Sequence, residues 1–271
     1  MKDKFYDEEV TRRRIVERAC ASAELEGVEI SETMNELCRH FIFGDLSLRK
    51  FVEHVVNSDE EAGVKAVARV IELKSNSVDG NFDVRHLKEI HAHIFQDSSA
   101  YSPGEFRDEV DADSDWCKNR FLEDEHSAIY VAYSPMDAEA INSLEEILKD
   151  AKPEKFRGMI KEKFIKAIGS FYTSLDYIHP FYEGNSRTLR EFTGQLAEES
   201  GFDIDWSHFR KIPDGRSELY LARDIGVNRM AFPDIRNELL KYHIGVFLSK
   251  MDVMEENGYM AYVMKDIVSL L

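Results

Sequence analysis

Between 164 and 178 the apolar residues Phe164, Ile165, Ile168, Phe171, Tyr172, Leu175 and Ile178 fall three or one apart, the spacing of one buried helical face. The run is cut at His179-Pro180, because proline disfavours helical backbone in the residue before it and brings no N–H of its own. Apolar spacing resumes with Leu189, Phe192 and Leu196 and stops before Gly201, which predicts a second helix starting near Asn185. The junction is therefore helix, loop, helix, with the loop over a helix N-terminus. Its sequence, HPFYEGNSRTLR at 179–190, crowds a histidine, a carboxylate, a Gly-Asn pair and two arginines together.

Helical periodicity dominates the rest of the chain. Val84, Leu87, Ile90 and Ile94 mark another helical face, and three helices are expected ahead of it, over 10–27, 32–43 and 48–57. The polar stretch 57–63 reads as a boundary between a small helical unit, 1–60, and a larger one, 61–271, although it is too short for a flexible linker. One segment departs from the pattern. In SAIYVAYSPM, Ile129, Val131 and Tyr133 alternate with Ala128, Tyr130 and Ala132 until Ser134-Pro135 ends the run, which predicts a short exposed strand or hairpin. An isolated hairpin on a helical body reads as functional. The expected fold is all-α in the main, a helical bundle carrying one small β-hairpin.

Composition narrows what the loop can serve. At 43% hydrophobic and 11% aromatic over 271 residues, the chain can bury a real core. A formal net charge of -17 argues against nucleic acid and anionic membrane as partners, so a phosphate ligand needs a local basic site. Cys20, Cys38 and Cys117 are widely spaced, without a CxxC pair or a leader-like N-terminus, and read as reduced thiols of a cytoplasmic protein. Export into another cell stays open. No apolar run approaches the ~20 residues needed to cross a bilayer. His86, His91 and His93 are not read as a zinc site, since His91 and His93 point to nearly opposite helical faces. Trp116 and Cys117 read as packing residues, and FLEDEH as a solvated loop.

A helix N-terminus exposes unpaired N–H groups and the positive end of its dipole, so it favours anions. Gly184 lets backbone come close to a ligand, and Arg187 and Arg190, three apart, share one face of the first turns. Together they could clamp two phosphates of a polyphosphate. Glu183 in that cluster would be repelled unless a cation intervened, and Mg²⁺ is typically held by one carboxylate plus phosphates. His179 could take a proton from an attacking hydroxyl. Singly, these residues read as a capping histidine, a loop acid and surface arginines; as a set they demand a common purpose.

The stretch resembles the signature of Fic-domain proteins of the Fic/Doc superfamily, His-x-Phe-x-Asp/Glu-Gly-Asn-x-Arg-x-x-Arg, at every specified position. SPGEFRD at 102–108, followed by AIYVAYSPMDAEAINSLEEIL, is similar to the family's segment leading into its flap hairpin, and the likeness covers about 60–210. The resemblance implies a helical bundle that transfers AMP from ATP to a hydroxyl of a target protein. It makes His179 the general base and Phe181 the loop's anchor. Glu183 would hold Mg²⁺ on the α- and β-phosphates, and the backbone at Gly184, Asn185 and Ser186 would form the anion hole. Arg187 would steady the phosphates and Arg190 grip the γ-phosphate. Ala128, Ile129, Tyr130, Val131, Ala132 and Tyr133 would register the target by strand addition. Most adenylylating members carry glycine where this chain has Ser186. A related branch with lysine there transfers the γ-phosphate instead, but lacks the second arginine, here Arg190. A kinase, an enzyme of AMP removal and a weakly catalytic binding module remain the alternatives, and the oligomeric state is open.

SAELEG at 22–27 also resembles the family's inhibitory pattern, Ser/Thr-x-x-x-Glu-Gly/Asn. Ser22 and Glu26 are expected on one helical face, with the helix ending at Gly27. The unit 1–60 resembles the small antitoxins that partner some Fic toxins, fused here to the enzyme. The resemblance implies that Glu26 pairs with Arg190 and displaces the γ-phosphate.

Overall fold

In a computed structural model, which describes residues 2–111, 113–122, 127–251 and 259–271, several helices begin where a side-chain oxygen satisfies a free N–H group. Ser31 accepts from the Met34 N–H to start α2 (Glu32–Phe43), after α1 (Lys2–Glu24), and Ser47 accepts from Lys50 to start α3 (Leu48–Val56). Then come α4 (Ala62–Ser75) and α5 (Val84–Phe95), the latter capped by Asp83. A hairpin of β1 (Trp116–Leu122) and β2 (Ser127–Tyr133) precedes α6 (Ala138–Lys149) and α7 (Pro153–Phe156). The two helices read first from the sequence are α8 (Lys161–Ile178) and α9 (Asn185–Ser200). The chain closes with β3 (Phe202–Ile204), α10 (His208–Lys211), α11 (Gly215–Ala231), α12 (Glu238–Lys250), α13 (Tyr259–Val263) and β4 (Val268–Leu270). No helix among the described residues is long and apolar enough to cross a membrane.

α8 and α9 form the centre of this mainly α architecture. All seven apolar residues counted on the first helix are buried, as are Leu189, Phe192 and Leu196 on the second. α8 lies against α6, α11 and α13, and α9 against α5. Phe164 stacks on Phe202 at 3.8 Å between ring centroids. Burying each such side chain stabilises the fold by roughly 2 kcal/mol, so the loop joining the two helices hangs from firmly packed elements. One continuous core runs from Val16, Met34 and Phe51 through α4, α5, α8 and α9 to Met264.

Three elements differ from expectation. The first helix starts at Lys2 and stops at Glu24, three residues short of Gly27. Arg216 and Tyr220 capture the Leu25 carbonyl at 2.8 and 3.0 Å, and Gly27, at φ +80°, turns the chain away. Ser22 is thus helical while Glu26 sits in the turn beyond, so the two do not share a helical face. Second, β2 is not an exposed strand: Ile129, Val131, Ala132 and Tyr133 are all buried. It pairs antiparallel with β1, Trp116 opposite Tyr133, where the sequence reading placed packing residues and a loop. Lys118 and Arg120 sit at alternate positions of β1, and their charge masks the period-two pattern. Most of FLEDEH lies outside the described residues. Third, β3 and β4 pair over three residues each, too short to leave a pattern.

Candidate active site

The site is assembled where α8 ends. His179 caps that helix with its N–H 3.2 Å from the Leu175 carbonyl and a left-handed backbone, φ 48° and ψ 58°. A residue with a side chain is strained there by about 1–3 kcal/mol and stays only if its surroundings hold it. Arg107 does so. Its Nε donates to the His179 carbonyl at 2.8 Å, and its Nη2 donates to the Ser134 carbonyl at 2.5 Å and the Ile178 carbonyl at 3.3 Å. Its own N–H donates to the Pro180 carbonyl at 2.9 Å. One buried guanidinium thus ties the loop to the foot of the hairpin. Burial draws its pKa down to about 10, and the Trp116 ring lies 4.6 Å from it as a cation–π partner.

Beyond Pro180 the loop is clasped from inside. Phe181 is fully buried and stacks on the His91 ring at 3.8 Å. Asn185 accepts from the Phe181 N–H through Oδ1 at 2.9 Å and donates through Nδ2 to its carbonyl at 2.6 Å. His91 accepts the Gly104 N–H on Nδ1 at 2.9 Å, so its proton sits on Nε2, which donates to the Glu183 carbonyl at 3.0 Å. Burial, aided by the charge of Arg187, pushes His91 down to about 4 and keeps it neutral. Gly184 then opens α9 at φ +81°, where a Cβ would come within 2.3 Å of the Phe95 ring. Both the conformation and the space require glycine.

Asn185, Ser186 and Arg187 form the first turn of α9. The buried Arg187 guanidinium stands 4.6 Å from the Phe95 ring, and its Nη2 donates to the Tyr101 hydroxyl at 3.2 Å. Arg190 is fully buried. It donates through Nε to Ser22 Oγ at 3.0 Å, and through Nη2 to the Ser22 carbonyl at 2.8 Å and Glu26 Oε1 at 2.7 Å. Nε and Nη1 of Arg187 and Nη1 of Arg190 are buried donors with no hydrogen-bond partner among the described residues, an arrangement suited to an anionic ligand. Burial alone would raise the Glu26 pKa, but Arg190 first, then Arg223 and Arg187, hold it down at about 2. Gly27 only ends the turn. A Cβ there would meet only Arg216, at 4.0 Å and outside the arginine cluster.

On the other side of the loop, the His179 imidazole is only 4% exposed and lies 3.9 Å from the Tyr133 ring of β2. Its Nδ1 is 3.7 Å from Oδ1 of Asp176, one turn earlier in α8, and Arg223 grips both Asp176 oxygens at 2.9 Å. Burial opposes the Asp176 charge, but Arg223 and then His179 hold its carboxyl below the ordinary range. Burial foremost pushes His179 down to about 4, against the pull of Asp176, so it is neutral at pH 7.

The hairpin is fastened over the histidine. Nε of Arg120 lies 2.9 Å from Asp224, and Nη2 donates to the Tyr133 hydroxyl at 3.2 Å. Asn228 accepts from the Ala132 N–H at 3.0 Å and donates to the Tyr130 carbonyl at 2.9 Å, so it occupies the edge of β2 that faces away from β1. The Ala128 side chain lies outside the described residues. Glu183 points outward, its side chain 63% exposed, with Lys118 Nζ 3.6 Å away. A lone outward carboxylate fits a Mg²⁺ ion that takes its other ligands from phosphates and water. Among the described residues no group of three or more His, Cys, Asp or Glu side chains is gathered to hold a metal unaided.

The loop that begins with a strained histidine, turns on an obligatory glycine and ends on two buried arginines lies inside 81–197, the residues matched by the Fic/DOC family. The chain carries a Fic/DOC family domain. Over 148 residues it is 33% identical to the protein adenylyltransferase VbhT of Bartonella schoenbuchensis, a match covering 54% of this chain and 27% of the relative. Over 171 residues it is 26% identical to a protein adenylyltransferase of Bartonella henselae, covering 62% of this chain and 30% of that one. The chain therefore spans less than a third of the length of either. Among solved structures, the BepC protein of Bartonella tribocorum with bound AMPPNP superposes with a TM-score of 0.49 at 17% identity, over 83% of this chain and 87% of that one.

The structure thus gathers the motif residues and brings Ser22 and Glu26 to Arg190. Sequence reasoning missed Arg107, Asp176, Arg223 and Asn228. Asp176 carried a signal, a carboxylate one helical turn before the histidine. The others come from segments far along the chain, where only the fold brings them in.

Proposed function

We propose that this Fic domain transfers AMP from ATP to a hydroxyl side chain of a target protein, and that Glu26 holds the reaction off. The observation that carries the reading is the claim on Arg190: the guanidinium assigned to the γ-phosphate is held by a carboxylate at 2.7 Å and by Ser22. The names of the two relatives support the reaction class.

In this reading the nucleotide's phosphates lie across the N-terminus of α9. The N–H groups of the first turn and the guanidiniums of Arg187 and Arg190 neutralise them. Glu183 would hold Mg²⁺, which when bound screens the phosphates' charge against attack. His179, neutral at pH 7, takes the acceptor's proton while the hydroxyl oxygen bonds to the α-phosphorus and the bond to pyrophosphate breaks. Tyr133 covers His179, so the acceptor enters as this ring moves aside. With Asn228 on the outer edge of β2 at 130 and 132, a target strand pairs with the outward groups of β1, at Cys117 and Asn119, and not with β2. The unit 1–60 acts as a built-in antitoxin, presenting Ser22 and Glu26.

ATP labelled at the α- or the γ-phosphate, given with Mg²⁺ and a lysate to wild type, Glu26→Gly and Glu26→Gly/His179→Ala, tests this. The expectation is label from the α-position alone, strongest in Glu26→Gly and absent from the double variant. Label from the γ-position alone would make Ser186 the mark of a kinase and overturn the reading.

A further inference from the structure

We propose that Asp176, gripped by Arg223, is the positioning residue of His179, holding the imidazole proton on Nδ1 so that Nε2 is the atom that takes the acceptor's proton. The inference rests on His179 being the base, and names the nitrogen that does the work. Asp176 lies in the last turn of α8, and His179, three residues on, is the left-handed cap that ends it, so the turn of the cap leaves the imidazole beside the carboxylate. Asp176 Oδ1 is 3.7 Å from Nδ1, and neither ring nitrogen has a hydrogen-bond partner among the described residues. A separation just beyond bonding distance is common before substrate arrives, and closes in the reacting complex.

What distinguishes Asp176 from an ordinary buried acid is its anchorage. Both its oxygens are bound by Arg223, and the two side chains are each 1% exposed, so the carboxylate can neither turn away nor reach water. The other groups facing His179 are Arg223 from α11 and Lys118 and Tyr133 from the hairpin, with Arg107 beneath its carbonyl. Of these only Asp176 is an anion, and it lies on the Nδ1 side. A neutral imidazole therefore keeps its proton at Nδ1 and presents a bare Nε2. When Nε2 accepts the hydroxyl's proton, the imidazolium forms against a fixed negative charge, and Asp176 remains ionised throughout.

The tautomer can be read without turnover. In the full chain carrying ¹⁵N-labelled histidine, the His179 signals are identified by their loss in His179→Ala, and the nitrogen shifts at pH 7 report which atom holds the proton. Wild type is expected to show Nδ1 protonated and Nε2 bare. Asp176→Asn should shift the proton towards Nε2. Because that variant strands Arg223 in the interior, Asp176→Asn/Arg223→Gln, which removes both charges, is measured beside it and should behave alike. Introduced into Glu26→Gly, the double change should lower kcat for transfer about 100-fold, the lower end of what a positioned base contributes, with KM for ATP unchanged. A wild type protonated at Nε2, or a tautomer indifferent to Asp176, would overturn the proposal. A protein with the expected tautomer but no transfer activity would instead refute the reading of the reaction.

Discussion

Replacing Glu26 by glycine takes one carboxylate from a buried pair and leaves Arg190 with Ser22 alone. The arginines hold Glu26 at about 2 against an ordinary 4.5. At ~1.4 kcal/mol per pKa unit this is an interaction of roughly 3 kcal/mol. Ten-fold in an equilibrium is ~1.4 kcal/mol, so relief of the competition raises productive ATP binding, and with it turnover, about 100-fold. Folding responds in the opposite sense. Arg190 is left without its charge partner, and the melting temperature should fall by ~2–4 °C for each kcal/mol lost. Mg²⁺-ATP should restore it, because the γ-phosphate takes the carboxylate's place. A carboxyl with a depressed pKa stabilises fully above its unfolded value and loses that contribution as pH falls towards its folded one. The stability gap between wild type and Glu26→Gly is therefore constant above about 4.5 and closes towards about 2. Turnover with α-labelled ATP, calorimetric titration with a non-hydrolysable analogue and thermal melts with and without nucleotide measure all three. Equal turnover and equal melting in the two proteins would refute the reasoning, since a pair at 2.7 Å with a fully buried guanidinium would then have no energetic consequence.

Other expectations follow from the same geometry. In the Glu26→Gly background the acid limb of kcat/KM should lie near 4, where buried His179 gains its proton, and not near 6.5; a limb at the ordinary histidine value would show that the ring is solvated in the working enzyme. Gly184→Ala forces a side chain into left-handed backbone and onto Phe95, so it should destabilise the fold by about 2–4 kcal/mol and abolish nucleotide binding, read by chemical denaturation and calorimetry. Arg107→Gln removes charged bonds to three carbonyls and should cost about 3 kcal/mol in denaturant, with kcat falling more than KM rises, because it releases the backbone of His179.

How much of this was legible in the sequence depends on how local the cause is. α8 and α9 follow from three-residue spacing and a proline, and the end of the first and both ends of the second fall where the sequence puts them. The loop's residues come together because twelve consecutive positions cannot separate. β1 was hidden because its inward positions Lys118 and Arg120 are charged, satisfied by Glu183 and Asp224 across the fold. The end of α1 was misplaced because what stops it is Arg216 and Tyr220, nearly two hundred residues away. Separation along the chain also hid Arg107, Arg223 and Asn228, which lie 72, 47 and 96 residues from His179, Asp176 and Ala132. Each binds a backbone or a carboxylate that its own neighbourhood does not contain, so no periodicity announces it.

The mass of the group left on the acceptor hydroxyl is the decisive quantity. Glu26→Gly incubated with Mg²⁺-ATP and a lysate, followed by peptide mass spectrometry beside Glu26→Gly/His179→Ala, should give serine, threonine or tyrosine residues carrying one adenylyl group, present only when His179 is. A phosphoryl group in its place, or adenylyl groups formed equally without His179, would contradict the account.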